Sequence, residues 1–302
     1  MSYVTLISYV LICLFGVSAT AQQISYSQRE NVVYGEADGV GLVMDIFTPV
    51  RDRNSLGIID VISGAWHSDR GKIRDHARAQ TFQILCGKGY TVFAVRPGSI
   101  TKFSAPEMLA HINVGIHWVK EHADDYKIDR DRLGLMGASA GGHLACLAAV
   151  TAKDGKSDGL NGDKMAGTRV KAVAVFFPIT DFLNYNGKAV DARANSDMGK
   201  LVRRLAFPQG VADTTDSEIN QTLREISPAQ LVTSQSPPFL LIHGDADPVV
   251  PMQQSETMVA ALKQAKVPAE LIAKHGGGHP WLTIHEEVKL LADWFDKQLL
   301  PK

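Results

Sequence analysis

Three polar side chains from separate segments could together carry out nucleophilic catalysis. Ser139 lies in the run Gly137-Ala-Ser-Ala-Gly141, which matches the pattern G-x-S-x-G. A serine hydroxyl is too weakly acidic to attack an ester unaided, so it needs a histidine base and an acid that holds the imidazole in the correct tautomer. Asp247 and His279 supply these groups later in the chain. The order serine, aspartate, histidine is the one expected when the serine lies on a strand-to-helix turn.

Both partners of the serine have a nearby competitor. Asp245 directly follows His243-Gly244 and is well placed to brace its own turn, whereas Asp247 lies deeper in that turn. His275 still belongs to the end of a strand, whereas His279 follows three glycines that let the loop approach the serine. We therefore assign the acid to Asp247 and the base to His279, and we interpret Asp245 and His275 as structural.

The residues around Ser139 predict a strand, a sharp turn and a helix. Residues 132–136 are mostly apolar, and residues 142–149 are small or apolar except for His143. Small neighbours let the serine occupy a strained turn with its hydroxyl exposed. Because the first N–H groups of a helix have no partner within it, the N–H of Ala140 can donate to the oxyanion that forms when Ser139 attacks a carbonyl.

A second oxyanion donor is expected from the loop Ser63-Gly-Ala-Trp-His67, which follows another apolar strand. The backbone N–H groups of Gly64 and Ala65 are the candidates, and the alternative is a tight turn with no catalytic role. Trp66 and His67 would then line the mouth of the substrate pocket. Trp66 could stack on an aromatic acyl group or a sugar there, or it could simply pack.

Strands and helices alternate along most of the chain. The predicted strands are residues 32–34, 42–47, 57–62, 91–95, 132–136, 170–177, 239–242 and 269–273. The predicted helices are residues 74–86, 106–122, 142–149, 198–205, 218–226, 252–265 and 284–299. This alternation predicts the α/β class, in which helices cover both faces of a mostly parallel sheet.

Two segments interrupt the alternation. Residues 151–168 are rich in Gly, Asp and Lys and are typical of a surface loop. Residues 180–237 are too many for an ordinary connection. Because ligands bind at the carboxyl ends of strands in open α/β sheets, we expect this insertion to form a partial lid there. The alternative is a helical decoration far from the site.

The N-terminus resembles an export signal. Residues 4–17 are almost wholly apolar and residues 18–21 are small, so we expect a signal peptide over residues 1–21 with cleavage after Ala21. The catalytic domain would then be residues 22–302, secreted or periplasmic and without stable membrane association. Because no Lys or Arg precedes Arg29, an uncleaved anchor remains the alternative.

The bulk composition is that of an ordinary globular protein. The chain has 302 residues, of which 45% are apolar and 21% charged, with a formal net charge of −1. This balance gives no basic footprint for nucleic acid, which we exclude as a partner. Cys86 and Cys146 lie in apolar helical patterns and are expected to be buried rather than bridged. Neither belongs to a Cys/His cluster, so no metal site is expected.

These motifs resemble the α/β-hydrolase superfamily, and within it the secreted esterases related to hormone-sensitive lipase and to bacterial feruloyl and acetyl xylan esterases. Residues 42–49, 128–145 and 243–251 carry the resemblance, above all the run S-A-G-G-H-L-A that begins at Ser139. The resemblance implies an eight-stranded sheet, a Ser139-His279-Asp247 triad, no cofactor, and hydrolysis of small-molecule or carbohydrate esters through an acyl-enzyme. The chain departs from the family in having Ile62-Ser-Gly-Ala-Trp66 in place of His-Gly-Gly-Gly-Trp.

Two other functions are compatible with the same fold. One is a serine peptidase resembling the prolyl oligopeptidase group, which would cleave amides as readily as esters. The other is a catalytically silent, hydrolase-like binding protein, which the altered oxyanion loop suggests. The three triad residues argue against the second alternative, because a binding module does not require all of them.

Overall fold

The computed structural model describes residues 26–157, 164–165 and 167–301. The expected signal peptide and its cleavage position lie outside these residues. The strands are β1 (Tyr26–Ala37), β2 (Val40–Pro49), β3 (Gly57–Val61), β4 (Thr91–Arg96), β5 (Leu133–Ala138), β6 (Lys156–Ser157), β7 (Lys164–Met165), β8 (Ala172–Phe176), β9 (Phe239–Gly244) and β10 (Ala269–Lys274).

Eight of these strands form one sheet in the order β1-β2-β4-β3-β5-β8-β9-β10. Strand β2 pairs antiparallel with β1 and β4, and the other neighbours are parallel. The residues of β3 and β8 are all buried, as expected for strands covered on both faces. The predicted α/β fold with a mostly parallel eight-stranded sheet is confirmed.

Helices cover both faces of the sheet. They are α1 (Arg70–Arg78), α2 (Thr81–Gly87), α3 (Ala105–Glu121), α4 (Ala123–Tyr126), α5 (Ala140–Val150), α6 (Asp197–Ala206), α7 (Asp216–Glu225), α8 (Gln253–Gln264) and α9 (Ile284–Leu299), with a 3-10 turn at Pro228–Gln230. Helices α2 and α9 pack together over one face, and α3 and α5 pack together over the other. In the part of the chain described above, none of the helices combines the length and the apolar character needed to cross a bilayer.

The predicted single helix over residues 74–86 is wrong. The chain forms α1 and α2 instead, separated at Gln80, whose φ of 59° is left-handed. Helix α1 begins earlier than predicted because the side chain of Asp69 accepts a hydrogen bond from the N–H of Gly71 and caps the helix. The two helices bury different surfaces: α2 places Phe82 and Leu85 in the core, whereas Ile73 is the buried residue of α1.

The insertion over residues 180–237 contains α6, α7 and the 3-10 turn. Its start is tied to α8, because the backbone N–H groups of Thr180 and Asp181 both donate to Oε1 of the buried Gln254, at 2.9 and 2.8 Å. Its helix α6 reaches the candidate site through Met198 and Leu201. The insertion therefore contributes to the wall of the site rather than decorating a distant surface.

The segment between α5 and β8 contains a short hairpin. Residues 151–168 include the short antiparallel pair of β6 and β7, which the prediction of a plain surface loop did not include. Cys86 and Cys146 are buried and free, as predicted.

Candidate active site

Three loops at the carboxyl ends of β5, β9 and β10 bring Ser139, Asp247 and His279 together. The Oγ of Ser139 lies 2.9 Å from Nε2 of His279, and Nδ1 of His279 lies 2.6 Å from Oδ2 of Asp247. A carboxylate can only accept hydrogen bonds, so Nδ1 carries the proton and donates to Asp247. Nε2 is then free to accept the hydroxyl proton of Ser139. This is the tautomer that a general base requires.

The turn that holds Ser139 is strained and tightly packed. Ser139 has φ 55° and ψ −122°, and its N–H donates to the carbonyl of Phe176 at 2.9 Å. A Cβ on Gly137 would lie 2.5 Å from the carbonyl oxygen of Gly141, and a Cβ on Gly141 would lie 2.2 Å from that of Val61. Both glycines of the motif are therefore required by close backbone approach, and they let α5 begin directly behind the serine.

Asp247 is held in place by backbone and side-chain donors. Its Oδ1 accepts hydrogen bonds from the N–H groups of Val249 and Val250 at 2.8 and 2.9 Å. Its Oδ2 faces His279 and lies 3.4 Å from Nε2 of the buried His243. Burial alone would raise the pKa of Asp247, but the hydrogen bonds from His243, His279 and the two backbone N–H groups hold the pKa far below its ordinary value. The carboxylate is therefore ionised throughout the neutral range.

The competing pair forms a separate contact at the surface. Nδ1 of His275 lies 2.9 Å from Oδ2 of Asp245, and Oδ1 of Asp245 accepts from the N–H of Gly276 at 2.7 Å. The side chain of His275 is fully exposed. Asp245 therefore stabilises the loop that follows β10. This agrees with the structural role predicted for Asp245.

The candidate oxyanion donors differ in part from the prediction. The loop after β3 forms a tight turn in which the N–H of Gly64 donates to the carbonyl of His67 at 2.9 Å. The prediction that Gly64 offers a free N–H is therefore wrong. Ala65 and Trp66 occupy the centre of this turn with φ of 46° and 59°, which are the signs of a type I′ turn. Among the described residues, no hydrogen bond is found for the N–H groups of Ala65 and Ala140.

Trp66 is one of the residues that line the cavity, but its indole packs in the protein interior and does not face a ligand. Only 2% of Trp66 is exposed, and its Nε1–H donates to Nδ1 of His143 at 3.0 Å. Nε2 of His143 lies 2.8 Å from the carbonyl oxygen of Ile226, to which it donates. His143 therefore connects the oxyanion loop to the insertion. His67 is half-buried and borders the cavity.

We expect His143 to make the stability of the protein sensitive to mild acid. Burial disfavours the charged imidazole and lowers the pKa of His143 from 6.5 to about 4, although the hydrogen bond to the carbonyl of Ile226 favours the charged form. An imidazolium also could not accept the hydrogen bond from Trp66. His143 binds a proton at a higher pH in the unfolded chain than in the folded chain. Its contribution to the free energy of unfolding is therefore complete above about pH 6.5 and is lost as the pH falls below that value. The free energy of unfolding should decrease by about 3 kcal/mol between pH 7 and pH 4 through this residue alone.

The variant His143→Gln isolates this effect, because glutamine can accept from Trp66 and donate to Ile226 without titrating. Urea unfolding of both proteins at several pH values in this range should show a smaller pH dependence for the variant. Equal pH dependence in the two proteins would contradict the assignment.

A cavity of about 900 Å³ opens beside Ser139. One part of its wall is apolar and comes from β5, β8, α6 and α9, with Met136, Phe176, Met198, Leu201, Ile284 and Val288. Another part comes from α1 and carries charged and titratable side chains, namely Lys72, Asp75, His76 and Arg78. The arrangement suits a mainly apolar group that also carries polar atoms.

Sequence reasoning missed several residues that support the site. His143 and His243 are such residues: a histidine four positions after the nucleophile, or at the end of a buried strand, is a visible signal. Asp60 is another signal, because it is the charged residue of the otherwise apolar strand β3. In the described residues, no group of three or more His, Cys, Asp or Glu side chains could hold a metal ion.

Comparisons with known proteins show a family and similar esterases. A family model described as BD-FAE matches residues 44–262. The chain is similar to the esterase LipQ of Mycobacterium tuberculosis, with 28% identity over 245 residues, which cover 79% of this chain and 53% of LipQ. It is also similar to the esterase LipC of the same organism, with 26% identity over 240 residues, which cover 79% of this chain and 56% of LipC. The chain thus spans about half the length of these curated relatives.

A solved structure shares the fold. It is described as a truncated form of a carbohydrate esterase from gut microbiota, and it superposes with a TM-score of 0.74 at 24% identity. The match covers 92% of this chain and 99% of that one.

Proposed function

The chain belongs to the BD-FAE family of α/β-hydrolases, and we propose that it is a serine carboxylic-ester hydrolase. The observation that carries the proposal is the continuous hydrogen-bond chain from Ser139 through His279 to Asp247. The similarity to the esterases LipQ and LipC supports the same reaction class.

In the proposed mechanism, Oγ of Ser139 attacks the ester carbonyl carbon while Nε2 of His279 takes the hydroxyl proton. The carbonyl oxygen becomes an oxyanion and accepts hydrogen bonds from the N–H groups of Ala140 and Ala65. The tetrahedral intermediate collapses, the bond to the alcohol oxygen breaks, and His279 returns its proton to the leaving alcohol. A water molecule then attacks the acyl-enzyme with His279 again as base, which releases the carboxylic acid and restores Ser139.

Asp247 stabilises the imidazolium that forms in each half of the reaction. Its carboxylate is already ionised and aimed at Nδ1 by the donors from Val249 and Val250, so little reorganisation is needed when the positive charge develops. The low pKa of Asp247 favours a carboxylate that keeps its charge instead of taking the proton from His279.

We propose small-molecule or carbohydrate esters as substrates. The cavity combines apolar walls with charged groups from α1, and the structural neighbour described as a carbohydrate esterase has the same fold. The expected export over residues 1–21 would place the protein outside the cytoplasm, secreted or periplasmic, where it would meet acylated carbohydrate. No cofactor takes part in the proposed steps.

A serine-reactive fluorophosphonate tests the activation of Ser139 directly. We expect the folded protein to form a stable adduct on the peptide that contains residue 139, because the probe reacts with serines made nucleophilic by a neighbouring base. Mass spectrometry after proteolysis maps the adduct, and acid-unfolded protein serves as the control that should not react. Absence of labelling in the folded protein would instead favour the silent binding protein. Comparable turnover of matched amide and ester substrates would favour the peptidase.

A further inference from the structure

A second aspartate–histidine pair borders the cavity away from Ser139. Oδ2 of Asp60, on β3, lies 2.7 Å from Nδ1 of His76, on α1. Asp60 is completely buried, and its Oδ1 has no hydrogen-bond partner among the described residues. The side chain of His76 is 12% exposed, and His76 lines the same cavity as Ser139.

The strand register shows where this pair lies relative to the serine. Asp60 is opposite Met136 in the pairing of β3 with β5, and Ser139 follows Met136 by three residues. At the usual rise along a strand, this places Asp60 about 10 Å from Ser139 along the strand direction, toward the interior. Met136 and Phe176 lie in the same cavity wall. His76 therefore borders the part of the cavity that lies beside Met136 and Phe176, which we call the arm.

The packing around Asp60 makes a purely structural role costly. The neighbouring residues of β3 are apolar, and a buried carboxylate with one unpartnered oxygen is unfavourable compared with a well-packed aliphatic side chain. The carboxylate has a clear consequence for His76, however. Burial disfavours the charged imidazole, but the adjacent Asp60 more than offsets this and raises the pKa of His76 above its ordinary value.

His76 has one ring nitrogen available for a ligand. Nδ1–H donates to Asp60, and for Nε2 no partner is found within residues 26–157, 164–165 and 167–301. The other charged side chains on this wall are largely engaged with one another: Nζ of Lys72 lies 3.5 Å from Asp75, and Nη1 of Arg78 lies 3.1 Å from the same carboxylate. When the imidazole is charged, Nε2–H is a donor that suits an oxygen acceptor.

We propose that His76, held in place by Asp60, forms a polar subsite that binds an oxygen function, a hydroxyl or a carboxylate, on the part of the substrate that extends from Ser139 into this arm. The inference rests on the proposed ester hydrolysis and names a specificity determinant for it. His76 contacts the substrate, whereas Asp60 is a positioning residue that fixes the orientation and charge of the imidazole.

Matched esters test the subsite. On the acyl side the probes are methyl hexanoate, methyl 6-hydroxyhexanoate and monomethyl adipate, which carry a methyl, hydroxymethyl or carboxylate end. On the alcohol side they are hexyl acetate and 6-hydroxyhexyl acetate. In one of the two series we expect kcat/KM for an oxygen-bearing ester to exceed that of its unsubstituted partner by about tenfold or more, the usual effect of one hydrogen bond to a charged group. The hydroxyl and carboxylate probes distinguish the two oxygen functions.

Variants link the preference to this pair. The measured quantity is the ratio of kcat/KM for the oxygen-bearing ester to kcat/KM for its unsubstituted partner. In the double variant Asp60→Val, His76→Phe this ratio should fall to about one. The double variant leaves no buried charge unpaired, so it should still fold. The single variant Asp60→Asn keeps the shape of the side chain and should reduce the ratio in the same series. Arg74→Gln, an exposed change on the same helix and outside the cavity wall, should leave the ratio unchanged. Because both esters are measured on the same preparation, the ratio does not depend on the folded fraction.

A ratio near one in both series for the unmodified protein, or a ratio that both variants retain, would overturn the subsite. Failure of the proposed function would look different, because every ester, including the unsubstituted ones, would then remain intact and Ser139 would not react with the fluorophosphonate.

Discussion

Replacing Ser139 by alanine is expected to lower kcat for simple aryl esters by about 10⁵-fold or more, with little change in KM. The variant loses the atom that forms the acyl-enzyme, which is also the hydrogen-bond partner of Nε2 of His279, at 2.9 Å. The small remaining rate would come from water attacking an ester held by the oxyanion donors, as in other serine hydrolases without their nucleophile.

The alanine side chain should not disturb the fold. Ser139 keeps its backbone bond to Phe176, and an alanine at the turn removes only the hydroxyl that faces the cavity. The measurement is hydrolysis of 4-nitrophenyl acetate together with thermal unfolding. Ser234→Ala changes an exposed serine outside the cavity and should retain full activity. A Ser139→Ala variant that remains as active as the unmodified protein would disprove the proposed nucleophile.

The elements that position these residues could be predicted because their signals are local. Buried parallel strands such as β8 are continuous apolar runs, and the amphipathic helix α9 has the bounds predicted from its periodicity. The choice of Asp247 over Asp245 also followed from local position, since the residue deeper in the turn faces inward. Where the segments that follow β5, β9 and β10 meet depends on the strand order, which no local residue pattern determines.

The conformation of the oxyanion loop could not be predicted from its own residues. Left-handed turns favour glycine, asparagine or aspartate, yet Ala65 and Trp66 occupy the two left-handed positions here. Tertiary contacts impose the conformation. The indole N–H of Trp66 donates to His143, and the backbone carbonyl of Trp66 accepts a hydrogen bond from the N–H of Ile100 at 2.8 Å. His143 is 77 residues away from Trp66 in the chain. No local pattern therefore shows that the indole of Trp66 points into the protein, or that the N–H of Gly64 donates to the carbonyl of His67.

The contact between Asp60 and His76 could not be predicted from the sequence either. The two residues are 16 positions apart, on a strand and on a helix whose start was predicted too late. A lone aspartate within an apolar strand was the available signal, but its partner becomes visible only when α1 is placed over the end of β3.

Changing Asp247 to asparagine is expected to lower kcat by about 10³- to 10⁴-fold while the protein remains folded. The reason lies in the two oxygens of Asp247. Oδ1 accepts from the N–H groups of Val249 and Val250, so the amide oxygen of an asparagine must take that position. The amide nitrogen then faces Nδ1 of His279 and donates to it. Nε2 must carry the ring proton instead, and it can no longer accept the proton of Ser139.

The same loop provides a matched control. Asp245 also accepts from a backbone N–H and also contacts a histidine, but its partner His275 is fully exposed and is not among the residues that line the cavity beside Ser139. Asp245→Asn should therefore change kcat by no more than about twofold, since a surface pair of this kind contributes little. Steady-state hydrolysis of 4-nitrophenyl acetate and thermal unfolding of the two variants make the comparison.

The two aspartates separate the tautomer explanation from a general effect of loop charge. If both variants lost activity equally, the loop after β9 would act through its structure, and the orientation of His279 would not depend on Asp247. If Asp247→Asn kept its activity, the hydrogen bond of 2.6 Å between Asp247 and His279 would have no part in the reaction. A large loss in the Asp247 variant alone would assign the effect to the ring nitrogen that carries the proton, because the two substitutions remove the same charge from the same turn.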